Sequence, residues 1–302
     1  MVSRDPRRFA PLIRIVTVAV MYMAVTHGAW AEEKPSKGAS DLAKASQNPV
    51  ASMISVPFEN NATFNNGRND DFVNVLNVKP VFPMGLTKDW NLINRAIIPL
   101  VYQGGAFVGD TRVGGSVVPG GTTEYVIAGQ ELGSQFGIGD IVYQGFISPS
   151  KPGKVIWGVG PQLNMPTGMG RMSTNHWSMG PAAVALVMPG HWVLGAMVSN
   201  VWSMGSGYGS PADVNDFTLQ YFINYNFKGG WYVSMAPVIS SNWEATSGNK
   251  WTVPVGGAVG RVFKIGKQAV NLRVGTYYNA VAPNNASDWN FQFELTFLFP
   301  KK

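Results

Sequence analysis

Residues 288–299, Asp-Trp-Asn-Phe-Gln-Phe-Glu-Leu-Thr-Phe-Leu-Phe, constrain the fold more than any other stretch. Trp289, Phe291, Phe293, Leu295, Phe297 and Phe299 fall on one face of a period-2 strand. Asn290, Gln292, Glu294 and Thr296 fall on the other. Six large apolar side chains in a row require a broad apolar partner. In a soluble sheet that partner is a core. In an outer-membrane barrel it is lipid, and the polar face lines a lumen.

The rest of the chain bears on that choice. From residue 51 one pattern recurs: an alternating strand, a tight turn, a second strand, then a longer polar loop. Strands are predicted at about 53–64, 72–83, 90–102, 138–149, 155–166, 176–188, 192–203, 216–227, 231–243, 250–263, 268–282 and 288–299. That is about twelve, an even number. Tight turns such as Pro189-Gly190-His191 and Lys228-Gly229-Gly230 alternate with long loops. Transmembrane barrels have this asymmetry, with short periplasmic turns and longer external loops. Strands of ten or more residues exceed the usual soluble length and suit a tilted bilayer crossing. The predicted fold is all-β: a transmembrane antiparallel up-and-down β-barrel.

The tryptophans give a separate indication. Trp90, Trp157, Trp192 and Trp231 follow short turns. Trp177, Trp202, Trp243, Trp251 and Trp289 border long loops. Two aromatic belts are expected, one per membrane interface, because indole rings settle at headgroup depth.

Polar side chains share the opposite face of the predicted strands. They are Lys79, Arg95, Asp140 with Gln144, Gln162 with Asn164, Gln220 with Asn224, Asn271 with Arg273, and Gln292 with Glu294. These are the candidate lumen-lining residues. Charges of both signs there can pair across the bore and leave a polar, mostly neutral passage. The alternative is that they only satisfy one another in a closed, water-poor barrel. Strands 176–188 and 192–203 alternate poorly, being apolar or small on both faces. That predicts either a lumen patch packed by a plug or loop, or a wall that meets another subunit. The Gly-rich loop 103–137 is long enough to fold inward as a constriction or to cap the mouth.

The N-terminus reads as an export signal. Arg4, Arg7, Arg8 and Arg14 precede a short apolar run, 15–25, and Ala29-Trp30-Ala31 supplies a small-residue cleavage site. Cleavage after Ala31 would leave 271 of the 302 residues. With four Arg and Asp5 gone, 19 basic and 16 acidic residues remain, a net charge of +3. No nucleic-acid partner follows from so small an excess. There is no cysteine, hence no disulfide and no site for a lipoprotein anchor. Residues 32–50 are polar, and 40–46 suit a short helix stopped before Pro49, docked at the barrel mouth or left as a periplasmic tail. The barrel then occupies 51–302.

Catalytic groups are scarce, and no enzyme, cofactor or metal is expected. Ser173 and His176 share one loop, the arrangement a rim lipid hydrolase would need, but nothing in the sequence orients the pair. Carboxylates at 69–71 and 213–216 read as solvated loop charge. The loop 103–137 lacks the Gly-Lys-Ser/Thr of a phosphate-binding loop.

Several stretches carry a family resemblance. Residues 47–58 (Gln-Asn-Pro-Val-Ala-Ser-Met-Ile-Ser-Val-Pro-Phe), 151–161 (Lys-Pro-Gly-Lys-Val-Ile-Trp-Gly-Val-Gly-Pro), 251–254 (Trp-Thr-Val-Pro) and 297–301 (Phe-Leu-Phe-Pro-Lys) resemble the outer-membrane proteins named for the meta-pathway of phenol degradation. The closing strand is also similar to the C-terminal segment by which outer-membrane barrels are recognised for insertion, although Pro300-Lys301-Lys302 follows its aromatic end. The resemblance implies an outer-membrane β-barrel, often labelled a transporter, and brings no site residues with it. The reading is an outer-membrane channel for passive uptake of small solutes, apolar or aromatic ones among them. Its expected partners are outer-membrane lipid, lipopolysaccharide, the barrel-assembly machinery and the solute. The alternatives are a closed structural or surface-binding barrel and, more remotely, the rim hydrolase.

Overall fold

A computed structural model describes residues 37–66, 71–104, 106–107, 131–169, 172–205, 213–284 and 286–300. The stretch read as an export signal and most of the loop 103–137 lie outside the described residues. Helix α1 (Lys37–Ser46) precedes twelve wall strands. These are β1 (Ile54–Asn66), β2 (Asp71–Val78 continued by Val81–Gly85), β3 (Trp90–Gln103), β4 (Gln135–Ile138 continued by Ile141–Pro149), β5 (Val155–Met165) and β6 (Ser178–Val187). Then follow β7 (Trp192–Ser203), β8 (Asn215–Asn226), β9 (Trp231–Met235 continued by Val238–Asn242), β10 (Trp251–Ile265), β11 (Gln268–Val281) and β12 (Trp289–Phe299). Each strand pairs antiparallel with its sequence neighbours, and β12 returns to β1, so the sheet closes on itself.

The face of β12 that carries Trp289, Phe291, Phe293 and Phe299 is exposed on the outside of the barrel, while Thr296 and Leu298 are buried inside. The apolar row therefore has no protein core behind it and is turned to the surroundings, as a lipid-facing strand requires.

Three wall strands are interrupted. In β2 and β9 the breaks fall at Lys79-Pro80 and Ala236-Pro237, where proline has no N–H to give the ladder. In β4 the break falls at Gly139-Asp140. The freed carbonyls and amides find other partners. The Ala96 N–H donates to the Pro80 carbonyl at 3.1 Å, and the Gly139 N–H to the Pro99 carbonyl at 2.9 Å. Elsewhere the wall approaches itself closely. A Cβ on Gly160 of β5 would stand 1.7 Å from the Gly145 carbonyl oxygen of β4, so only glycine fits there.

The interior of the short-turn end is filled from two directions. Ile93, Phe146, Ala182, Val184, Leu186, Val193 and Phe222 form an apolar cluster on the inner faces of β3 to β8, and Val50 packs into it. This accounts for the poor alternation of β6 and β7: their inner face is packed by the segment preceding β1. On the other side Ala43 of α1 is buried against Tyr232, Val262, Ala269 and Leu298. The Ser40 hydroxyl donates to the Phe227 carbonyl at 3.3 Å, and the Lys44 ammonium to the Gly190 carbonyl. Gln47 and Asn226 exchange amide hydrogen bonds of 2.9 and 3.2 Å. Residues 37–53 thus sit in the short-turn mouth, three residues longer in helix than 40–46 suggested. Toward the long-loop end Met172 packs on Val73, Val75 and Val101.

Candidate functional site: the barrel interior

Strand register builds a transverse row of charge at mid-height. Arg273 of β11 is the direct partner of Glu294 of β12, which is the direct partner of Glu59 of β1. Two carboxylates facing each other across a ladder repel. Arg273 resolves the conflict by bridging both: its Nη2 donates to Glu294 Oε2 at 2.7 Å and lies 3.3 Å from Glu59 Oε2. Lys79, brought inward at the break in β2, pairs with the other Glu59 oxygen. Asn61 Nδ2 also donates to that oxygen at 3.1 Å. Sequence reasoning placed Lys79, Arg273 and Glu294 in the lumen and missed Glu59. The signal was present, since Glu59, Asn61 and Thr63 share the face opposite Phe58 and Phe64.

Two cavities lie along the interior. The upper one, toward the long-loop end, is lined by Thr63, Gln144, Gln162, Ser199, Thr218, Thr252, Asn290 and Gln292, with Ile97, Met197 and Val238 as apolar patches. The lower one is lined by residues 45–49 together with Asn224, Tyr232, Asn271, Arg273 and Glu294. Each encloses about 1000 Å³ of space, counting the part that opens to solvent. Glu59, Lys79, Arg95, Gln220 and Ala236 border both, so they form the partition between them. Two of the three wall breaks supply it: Lys79 at the break in β2, and Ala236 at the break in β9, whose carbonyl accepts from Gln220 Nε2 at 3.3 Å.

Of the twelve candidate lumen residues, ten border one of these cavities. Asp140 and Asn164 do not. Asp140 is buried at the break in β4, and its carboxylate accepts from the Gly168 N–H (3.0 Å), the Thr174 N–H (2.7 Å) and the Thr174 hydroxyl (2.8 Å). It holds Gly168 and Thr174 instead of lining either cavity, which strand parity alone could not distinguish. Asn164 accepts from Gln162 Nε2 at 3.1 Å, continuing a buried amide chain from Gln144.

The nine tryptophans from Trp90 onward are all exposed on the outer surface. Trp90, Trp192 and Trp231 open strands at the short-turn end, with Trp157 two residues inside β5. Trp177, Trp202, Trp243, Trp251 and Trp289 stand at strand ends on the long-loop side. They pack on one another, as in Trp90–Trp157 at 5.9 Å and Trp243–Trp251 at 5.3 Å between ring centroids. The Arg261 guanidinium lies 5.1 Å from the Trp231 ring, a cation over a π face.

The loop 172–177 offers no exposed nucleophile. Ser173 and His176 are both buried, and the Ser173 hydroxyl accepts from the Asn175 N–H at 3.0 Å. Among the described residues no three His, Cys, Asp or Glu side chains converge as a cation site. Asp213 lies 3.5 Å from the Ser203 hydroxyl, while residues 69 and 70 fall outside the described residues.

Residues 55–203 match the model of the family described as "Putative MetA-pathway of phenol degradation". The motifs at 251–254 and 297–301 lie beyond the matched stretch. In fold the chain is similar to a crystal structure of an outer membrane channel from Pseudomonas putida F1. The TM-score is 0.56 at 15% identity, covering 83% of this chain and 97% of that one. A FadL homologue from Pseudomonas aeruginosa aligns over 85% of this chain and 93% of its own, at 9% identity and a TM-score of 0.41. The CymD monoaromatic hydrocarbon channel aligns over 88% and 91%, at 10% identity and a TM-score of 0.37. No curated protein matches the chain in sequence. The fold is that of a twelve-strand outer-membrane β-barrel.

Proposed function

We propose that the protein is an outer-membrane channel through which small solutes diffuse. The observation that carries this reading is the divided interior. Two cavities of mixed polar and apolar lining, one toward each end of a closed barrel with an apolar exterior, are separated by a partition of only a few residues. In such a barrel the short turns are periplasmic and the long loops external. Residues 37–53 then occupy the periplasmic mouth, and the two sets of tryptophans lie at the two headgroup layers. The solutes would be small, with apolar or aromatic bodies. The mixed lining of the upper cavity and a family description that names phenol degradation both favour that class. Export by a leader removed after Ala31, insertion by the barrel-assembly machinery, and contact with outer-membrane lipid and lipopolysaccharide complete the reading.

Liposome swelling tests it, with a size-graded panel of sugars, carboxylates and aromatic solutes. Small members should enter faster than into protein-free liposomes, with a sharp decline as size rises. Folded protein that admits nothing would overturn the proposal. It would favour instead a closed barrel, to which the packing of Ala43 and Val50 in the short-turn mouth also points.

A further inference from the structure

We infer that Arg95 is the binding point for the carboxylate of a small monoanion with an apolar body. The partition and the row beside it hold three cations, Lys79, Arg95 and Arg273, against two carboxylates, Glu59 and Glu294. Both carboxylates are engaged by Lys79 and Arg273. Arg95 is the surplus cation: among the described residues no carboxylate lies within ion-pair distance of it. Among the described residues its Nη1 donates only to Met197 Sδ, 3.1 Å away, and its buried Nε has no acceptor. A thioether is a weak acceptor, and a guanidinium presents five donors in a planar fork that matches a carboxylate with two parallel hydrogen bonds. A partly buried guanidinium lacking that partner is costly to hold, and a ligand that supplies one recovers part of the cost.

Position and surroundings narrow the ligand. Arg95 borders both cavities, so a solute from either side reaches it. Lys79 adds a second positive charge in the same partition. Met197 lies against the guanidinium, and Ile97 and Val238 add apolar surface and Gln220 an amide to the cavity it borders. Glu59, in the same partition, opposes a second negative charge on the ligand. A single carboxylate on a compact apolar body fits these conditions, whereas a free cation would meet carboxylates that already have partners. The channel reading supplies only the route by which the anion arrives.

The test is isothermal titration of the full-length protein in detergent micelles with sodium benzoate and with benzamide, which keeps the ring and loses the charge. Benzoate should bind at one site, at least about tenfold more tightly than benzamide, the worth of one charge-assisted hydrogen bond. Arg95→Gln should weaken benzoate by at least about tenfold, and Arg95→Lys should restore part of the affinity. Absence of benzoate binding to the unaltered protein would overturn the inference, as would equal binding of the two probes. So would unchanged benzoate affinity in Arg95→Gln. The comparison of the two probes on the unaltered protein decides the matter even where a variant fails to fold. Solute swelling without benzoate binding would remove this site and leave the channel; benzoate binding without swelling would do the reverse.

Discussion

On the β3–β8 side of the interior, Ile93, Phe146, Leu186 and Val193 are closed to water and seat Val50. Across the bore, β11, β12 and β1 present Arg273, Glu294 and Glu59, whose ion pairs border open space. One wall closes the bore by packing and the other keeps it open by charge. A barrel interior therefore need not be uniformly polar to enclose open space. Apolar packing can narrow it on one side, because side chains at native density leave little room. Fixed, mutually paired charges on the other side hold a gap that apolar side chains would collapse into. Arg95 stands where the two meet, with Met197 of the apolar cluster at one hand and Lys79 and Glu59 at the other.

Substitutions can break that contrast. On the charged side, Glu59→Gln leaves Lys79 without its carboxylate and Arg273 with one partner fewer. Loss of one member of a buried network costs about 3–5 kcal/mol. The folded band should disappear at a lower temperature on unboiled gels, and the zero-current potential in a salt gradient should shift in the direction of anion selectivity. Phe146→Ala on the apolar side should cost a similar about 3–5 kcal/mol from the cavity it leaves, but with no change in selectivity. If the two variants shift selectivity alike, the division of labour is wrong. Ala43→Glu places a charge among Tyr232, Val262 and Leu298 and should lift α1 from the mouth. Its conductance should rise severalfold in planar bilayers while the barrel stays folded, and an unchanged conductance would show that α1 does not limit passage. Arg261→Ala removes the cation over Trp231 and should cost only about 0.5–1 kcal/mol, read as a small downward shift in the same gel assay.

Most of the wall was legible because a period of two, interrupted by Gly- and Pro-rich turns, is written residue by residue. The twelve strands and the tryptophan positions follow from that alone. The breaks in β2 and β9 were marked by Pro80 and Pro237, but a proline in a strand does not say whether the chain ends, bulges or bends inward. Parity placed Asp140 among the lumen residues and could not show that its carboxylate is taken up by Gly168 and Thr174, 28 and 34 residues away. Glu59 became meaningful only once strand register set it beside Glu294 and Arg273. The apolar inner face of β6 and β7 had two readings until the position of Val50 chose between them.

The charge row also bears on how the barrel is made. Glu59 is on the first strand, and Arg273 and Glu294 are on the last two, so 214 residues separate Arg273 from the carboxylate it reaches. That contact can form only when the two ends of the sheet meet. A slip of two residues at the junction would place Glu59 opposite Gln292 or Thr296 and withdraw one carboxylate from the guanidinium. Correct closure is thus rewarded electrostatically in the same step that completes the backbone ladder. The residues that hold the bore open also proofread the seam.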